Sequence, residues 1–112
     1  MLNETTLTQW YLVTFFDAPE PRNQILWGTV EDDPSMRWLA GDYCCSSLIL
    51  KQTADDTYIT KNTQYTTVGP GQSITLPVKA LIDLRAGHAP DDYLALHELL
   101  KKGYKRGQDI YE

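Results

Sequence analysis

The chain has 112 residues, of which 42% are hydrophobic and 11% aromatic, so it is long enough to bury one hydrophobic core. Its formal net charge is −5, because 15 acidic residues outnumber 10 basic ones. This composition argues against a disordered chain, and the negative charge argues against direct binding of nucleic acid, whose phosphates it repels. The apolar run that ends at Phe16 is too short to cross a bilayer, and no basic-then-apolar leader opens the chain. We therefore expect one domain over residues 1–112, working in the cytoplasm of a bacterial host cell and not at a membrane.

The negative charge is concentrated in the first half of the chain. Residues 1–60 hold nine acids and three bases, whereas residues 61–112 hold six acids and seven bases. The acids form three clusters, which are Glu31-Asp32-Asp33, Asp55-Asp56 and Asp91-Asp92. The first two clusters fall at predicted turns, so we expect their carboxylates to be solvated and free to meet a basic partner.

In chain order, the hydrophobic pattern first predicts strands. Aromatic and β-branched residues alternate or run together over residues 8–16, 24–31, 43–50, 57–60 and 64–68. Turn residues separate these segments, and Gly69-Pro70-Gly71 ends the last of them. The first two strands are expected to pair antiparallel. The many threonines and tyrosines indicate a sheet with one face in water.

The pattern then changes to a helical period. Val78, Leu81, Ile82 and Arg85 are spaced for one face of a short helix that begins near Pro77 and ends before Gly87. A second helix is predicted from Pro90 to about residue 102, with residues 105–112 as a loose tail. The inner stripe of the second helix is predicted to be Tyr93, Leu96, Leu100 and Tyr104. The expected fold is therefore α+β: an antiparallel sheet of about five strands followed by two short helices that pack on one face through Leu81, Ile82, Leu96 and Leu100.

The residues capable of chemistry do not form a reaction signature. Cys44 and Cys45 are neighbours on a predicted strand, so their side chains point to opposite faces and cannot hold one metal ion together. His88 and His97 match no metal-binding spacing. We therefore expect two structural thiols, with no catalytic residue, metal or cofactor. The alternative of a thiol enzyme built on Cys45 and His97 remains open at this point.

Two further features concern binding. Trp38, next to Arg37 in a connecting segment, is the tryptophan expected to be an exposed anchor for a partner, whereas Trp10 and Trp27 are expected in the core. A pocket between the sheet and the helices would make the chain a small-ligand sensor instead. The residues expected to line such a pocket are Trp38, Tyr58, Tyr65 and His97.

One segment also resembles a known family. The residues that carry the likeness lie between positions 41 and 71 and are Gly41, Asp42, Tyr43, Ser46, Ser47, Asn62, Thr63, Tyr65, Gly69 and Gly71. This pattern resembles a family of small bacterial and phage-borne proteins of unknown function. The resemblance implies a gene that travels with phages or other mobile elements, and it transfers no catalytic residue.

The functional expectation is a small, acidic, non-catalytic protein-binding module. The residues predicted to bind the partner are Glu31, Asp32, Asp33, Trp38, Asp55 and Asp56. The partner would be a basic protein surface, such as the groove that holds nucleic acid in a bacterial nuclease or ribonucleoprotein complex. A phage-derived inhibitor of a CRISPR-like defence nuclease fits this chemistry best. An immunity protein against a basic toxin nuclease is the alternative that uses the same charges.

Overall fold

The computed structural model describes residues 2–20 and 22–101, and it describes the side chains of all of these except residues 97–101. In this part of the chain, seven strands form an open mixed sheet and two short helices follow them in a compact α+β fold. The strands are β1 (Asn3–Phe15), β2 (Gln24–Asp32), β3 (Tyr43–Cys45), β4 (Lys51–Ala54), β5 (Thr57–Ile59), β6 (Thr63–Thr67) and β7 (Gln72–Leu76). A single 3-10 turn, Val78–Ala80, leads into α1 (Leu81–Arg85), and α2 spans Pro90–Lys101.

Strand β1 organises the sheet, whose order is β3-β2-β1-β6-β5-β4. It pairs antiparallel with β2, which confirms the predicted pairing. It also pairs in parallel with β6 through its first half and with β7 through its second half. The predicted all-antiparallel sheet of about five strands is therefore wrong. Parallel neighbours are joined by long connections, and the local pattern of a sequence carries no signal for that pairing.

Because of an irregularity in the middle of β1, side chains of this one strand pack in two different cores. Gln9 has a positive φ of 47°, and the register with β2 shifts between Thr8 and Tyr11. On one side of the sheet Leu7 and Leu12 pack in the first core, with Leu26 of β2. Side chains on the other side of the sheet pack in a second core. Those that come from β1 and β2 are Val13, Phe15, Ile25 and Trp27. A bulge of this kind re-aims side chains without ending the strand.

The first core lies in a concave face of the sheet. Cys44 of β3 and Tyr65 of β6 are three strand spacings apart in the sheet order, about 14 Å in a flat sheet. The Cys44 Sγ atom nevertheless lies 3.8 Å from the Tyr65 hydroxyl. The sheet therefore curls around this core, and its opposite side is the outer face.

Helix α1 covers only part of the outer face. Ala80 and Leu84 are fully buried against Leu76 and the β1–β2 residues of the second core. Ile82, predicted to face the sheet, is 77% exposed, so that prediction is wrong. The turn before the helix is 3-10, which rotates the following residues away from the face that a continuous α-helix would bury. Gly87 ends the segment with a φ of 104°, which confirms the predicted terminal glycine.

The second helix begins at Pro90 as predicted, and Pro90 is fully buried. Tyr93 packs against the second core, whereas Leu94 on the next position is 37% exposed. The side chains of His97 and Leu100 and the predicted tail at residues 105–112 lie outside the described part of the chain.

Trp10 of β1 lies against Gly71, in the segment that connects β6 with β7, the two strands that run parallel to β1. The Trp10 indole N–H donates a hydrogen bond to the Gly69 carbonyl over 3.0 Å, between the end of β6 and the start of β7. A Cβ atom at Gly71 would lie 2.3 Å from the Trp10 ring. Position 71 must therefore be glycine, because a larger residue would displace the indole from the segment between β6 and β7.

Candidate functional site

Asp33 departs from the expectation for the acidic clusters. Its residue surface is only 5% exposed, so the prediction of a solvated carboxylate is wrong at this position. One carboxylate oxygen accepts the backbone N–H groups of Arg37 over 2.8 Å and Trp38 over 3.0 Å. The other accepts the hydroxyls of Thr5 and Ser35. Asp33 therefore organises the connection after β2 from inside instead of presenting a charge to a partner.

Arg37 extends this network to the protein surface. Its guanidinium donates hydrogen bonds to the hydroxyls of Thr63 over 2.9 Å and Thr5 over 3.0 Å, which tie the connection to β6 and β1. Its ion pair with Asp33 is long, at 3.9 Å. The guanidinium carbon also lies 4.5 Å from the centre of the Trp38 ring, within the range of a cation–π contact. Trp38 is thus a half-buried residue that packs against the concave core, and not the freely exposed anchor that was expected.

The hydrogen bonds at Asp33 decide its charge. Burial alone raises the pKa of the Asp33 carboxyl, but the Ser35 hydroxyl, the Trp38 and Arg37 N–H groups and the Thr5 hydroxyl outweigh burial. The pKa of Asp33 is therefore lowered from its ordinary value. The group stays ionised at neutral pH, with its charge turned into the protein.

Half of the outer face of the sheet is left uncovered by α1 and forms the candidate site. Register places two cross-strand rows on this open face. One row is Glu4, Gln64, Ile59 and Lys51, and the other is Asp32, Thr6, Thr66 and Thr57. Glu4 and Lys51 are exposed, and the other members of the first row are half-buried. This side of the sheet is thus partly open to water, but four threonines of the sheet region are buried, so threonine content alone does not mark the exposed face; the buried ones are Thr5, Thr60, Thr63 and Thr67.

The exposed acids border this open face at both ends. Glu31 and Asp32 end β2 on one side, and the Asp55-Asp56 turn leads into Thr57 on the other side. All four carboxylates belong to exposed residues, and none forms an ion pair with a described residue. Three strand spacings separate Asp32 from Thr57, which corresponds to about 14 Å. Glu4 and Asp32 lie on the open face itself, with Lys51 at the far end of the first row, and Glu31, Asp55 and Asp56 lie at its borders.

The two thiols occupy opposite faces, as predicted. Cys44 is fully buried in the concave core, and Cys45 packs against the second core. Desolvation raises the pKa of each thiol to about 11. At neutral pH only about one molecule in ten thousand would carry a thiolate at either position, because each pKa unit is a factor of ten. Neither cysteine is prepared as a nucleophile.

Three of the residues expected to line a ligand pocket, Trp38, Tyr58 and Tyr65, meet in the concave core but fill it instead of lining a cavity, and the side chain of His97 lies outside the described part of the chain. Tyr58 and Tyr65 are 5% and 3% exposed and fill the concave core. A cavity of about 360 Å³ lies beside Trp38 instead, lined also by Asp42, Tyr43, Cys45 and Arg85. The Tyr43 hydroxyl donates a hydrogen bond to the Arg85 carbonyl over 2.6 Å, so this cavity lies between β3 and the end of α1. Among the described residues, no group of three or more histidine, cysteine or acidic side chains could hold a metal ion.

Comparison with protein-family models, with curated proteins and with solved structures finds no match to this chain. Among the described helices, none has the length and the apolar character needed to cross a membrane. The geometry and charge of the open face are therefore the basis for assigning a function.

Proposed function

We propose that this chain is a non-catalytic protein-binding module that docks its open acidic face on a basic protein surface. One observation carries the proposal. The exposed acid clusters, which are 23 residues apart between Asp32 and Asp55, lie at the two ends of one uncovered half-sheet. The sheet therefore holds the carboxylates at a set spacing, and none of them is ion-paired with a described residue.

The charge arrangement favours a partner that binds nucleic acid. Such proteins carry extended basic grooves, and acidic groups held on a sheet can occupy a groove of this kind in place of phosphates. Steering by opposite charges speeds association and rejects acidic partners. The resemblance of residues 41–71 to phage-borne proteins directs the proposal to a bacterial defence nuclease complex. An immunity protein would dock on a toxin nuclease through the same charges, and identification of the captured partner separates the two.

The test uses the basic proteins of a bacterial lysate, retained on a cation exchanger, as the probe. Proteins captured by the immobilised chain are identified and purified, and their affinity is measured by surface plasmon resonance at two salt concentrations. Asp32→Lys and Asp55→Lys should each weaken binding at least about tenfold, because an attraction becomes a repulsion. Because Asp32 ends β2 and Asp55 precedes β5, three strand spacings away in the sheet order, the two losses should add.

The matched control is Glu20→Lys, an exposed acid in the connection between β1 and β2. It changes the net charge by the same amount as the other two reversals. We expect it to leave the affinity within about threefold of wild type. Equal losses for all three variants would mean that only net charge matters, and would contradict the proposed face. Capture of no basic protein, or binding that ignores salt, would also overturn the proposal.

A further inference from the structure

A cleft of about 550 Å³ lies where three segments of the chain meet. These segments are the start of β1, the turn between β5 and β6, and the connection between β2 and β3. The residues that line the cleft are Leu2, Asn3, Arg37, Lys61 and Asn62. The Asn3 N–H donates a hydrogen bond to the Asn62 carbonyl over 2.9 Å, and the Thr60 N–H closes the turn by donating to the Thr63 carbonyl over 2.9 Å. Two walls of the cleft are therefore fixed by backbone hydrogen bonds.

The guanidinium of Arg37 is held in place at the third wall. Its Nε donates to the Ser35 hydroxyl over 3.0 Å, its Nη1 to the Thr63 hydroxyl over 2.9 Å and its Nη2 to the Thr5 hydroxyl over 3.0 Å. The Trp38 ring supports the same group from one side. A guanidinium has five N–H bonds, so one N–H on each terminal nitrogen has no acceptor among the described residues. A ligand would meet a side chain that is already ordered, which lowers the entropic cost of binding.

The cleft is positively charged, although the chain as a whole is negative. Two of its five lining residues are cations and none is an acid. The Asp33 carboxylate lies behind Arg37, but their ion pair is long, at 3.9 Å, and its oxygens are occupied by other donors. Glu4, the neighbouring acid in β1, belongs to a row on the open face. Arg37 instead bonds to the threonines of the concave side, so the cleft and the open acidic face lie on opposite sides of the sheet.

We propose that this cleft binds the phosphate group of a small phosphorylated molecule. The inference goes beyond the proposed docking and does not depend on it, because the two sites use different residues on different sides of the sheet. Arginine recognises phosphate through paired N–H groups, and the two unoccupied N–H groups of Arg37 are suited to that contact. Lys61 supplies a second cation, and the side-chain amides of Asn3 and Asn62 can donate further hydrogen bonds.

A phosphate group matches this set of donors better than a carboxylate does. A phosphate monoester carries close to two negative charges at neutral pH and has three terminal oxygens, whereas a carboxylate carries one charge and has two oxygens. Two cations and two amides would leave donors unused around a carboxylate. The volume of the cleft lies in the range of small-molecule sites, roughly 300–1,000 Å³, so the group that carries the phosphate also has room. Leu2 offers that group an apolar wall.

Titration of the isotope-labelled chain with phenyl phosphate, followed by NMR at neutral pH and low salt, tests the proposal. Benzoate is the matched carboxylate probe, and inorganic phosphate shows whether the phosphate group alone is sufficient for binding at this place. We expect both phosphate probes to shift the Arg37 Nε–H signal and the backbone amide signals of Asn3, Lys61 and Asn62. Phenyl phosphate should bind at least about fivefold more tightly than benzoate.

Three variants test the placement of the site. Lys61→Ala should weaken the binding of phenyl phosphate at least about fivefold. Arg37→Lys keeps the charge but loses the paired N–H groups, so it should weaken binding at least about tenfold. The matched control is Lys51→Ala, which removes an exposed lysine at the start of β4 and should stay within about twofold of wild type. Thermal melting shows whether each variant folds.

Several outcomes would overturn the site. An equal loss of affinity in Lys51→Ala, or signal shifts spread over all exposed lysines, would mean general attraction between charges. Benzoate binding as tight as that of phenyl phosphate would overturn phosphate as the ligand class. Wild-type affinity in Lys61→Ala, or in a folded Arg37→Lys protein, would overturn the placement, and if Arg37→Lys does not fold, Lys61→Ala and the pattern of shifts decide. The docking face is tested separately by Asp32→Lys and Asp55→Lys, so the two proposals fail independently.

Discussion

Replacing Asp33 by asparagine tests the central contact of the connection between β2 and β3. Both carboxylate oxygens of Asp33 accept hydrogen bonds. One oxygen accepts the backbone N–H groups of Arg37 and Trp38. The other oxygen accepts the hydroxyls of Thr5 and Ser35. An amide has only one oxygen, so its NH₂ group must face donors on one side. Each donor left without an acceptor in a buried site costs about 1–3 kcal/mol. The Thr5 and Ser35 hydroxyls can turn to accept from this NH₂ group, but the Ser35 backbone N–H, which is 3.3 Å from the same carboxylate oxygen, cannot. Asp33→Asn should therefore lower the free energy of unfolding by about 1–3 kcal/mol at pH 7.

The pH dependence of this loss has a definite sign. The pKa of Asp33 is lowered in the folded protein, so its contribution to stability is complete above the pKa of the unfolded chain, which is about 4. The contribution is lost as the pH falls through the lower, folded pKa. The difference between wild type and Asp33→Asn should therefore be largest at neutral pH and shrink below about pH 4.

Urea unfolding at several pH values measures both effects. The matched control is Asp32→Asn, because Asp32 is the neighbouring acid but is exposed. We expect this control to stay within about 0.5 kcal/mol of wild type. If Asp33→Asn unfolds at the wild-type urea midpoint at pH 7, the hydrogen bonds to Asp33 do not stabilise the loop. A difference that stays constant from pH 7 to pH 2 would show that the ionised carboxylate is not the stabilising form.

Four further substitutions test the packing that positions the site. Gly71→Ala should destabilise the protein by about 1–3 kcal/mol in urea, because the new Cβ would overlap the hydrogen-bonded Trp10 indole, and a wild-type midpoint would contradict this contact. Leu84→Ala should cost about 2–5 kcal/mol whereas Ile82→Ala should cost under about 0.5 kcal/mol, and the reverse order in thermal melting would mean that α1 packs through the other face. Cys44→Ala should cost about 1–2 kcal/mol and leave partner affinity unchanged, so a loss of affinity without a loss of stability would point to a functional thiol.

Local residue patterns were sufficient for several features. The start of α2 at Pro90 and its first acidic turn depend on residues only a few positions apart, and so do the glycine after α1 and the opposite directions of Cys44 and Cys45. The antiparallel pairing of β1 with β2 also follows from two strongly patterned segments that are close in the chain. These features are local, so neighbouring residues determine them.

The acidic clusters divide into two classes that composition cannot distinguish. Asp32 and Asp33 are adjacent and identical in type, but one is exposed and the other is buried. The difference arises because the chain after Asp33 turns back and directs the N–H groups of Arg37 and Trp38 at its carboxylate. Thr5, 28 residues away, supplies a further donor. A clue was present in Asp33-Pro34-Ser35, since an aspartate before such a turn commonly accepts backbone N–H groups.

The open face bordered by acidic residues was decided only by the tertiary structure. The sequence by itself determined an acidic α+β chain with clustered carboxylates, because composition and local periodicity are properties of neighbouring residues. The parallel pairing of β1 with β6 joined the two acid clusters into one surface, and α1 left that half of the sheet uncovered. Strand order depends on which distant segments bury their apolar sides together, and the curl that brings Cys44 to Tyr65 is the result of that long-range packing.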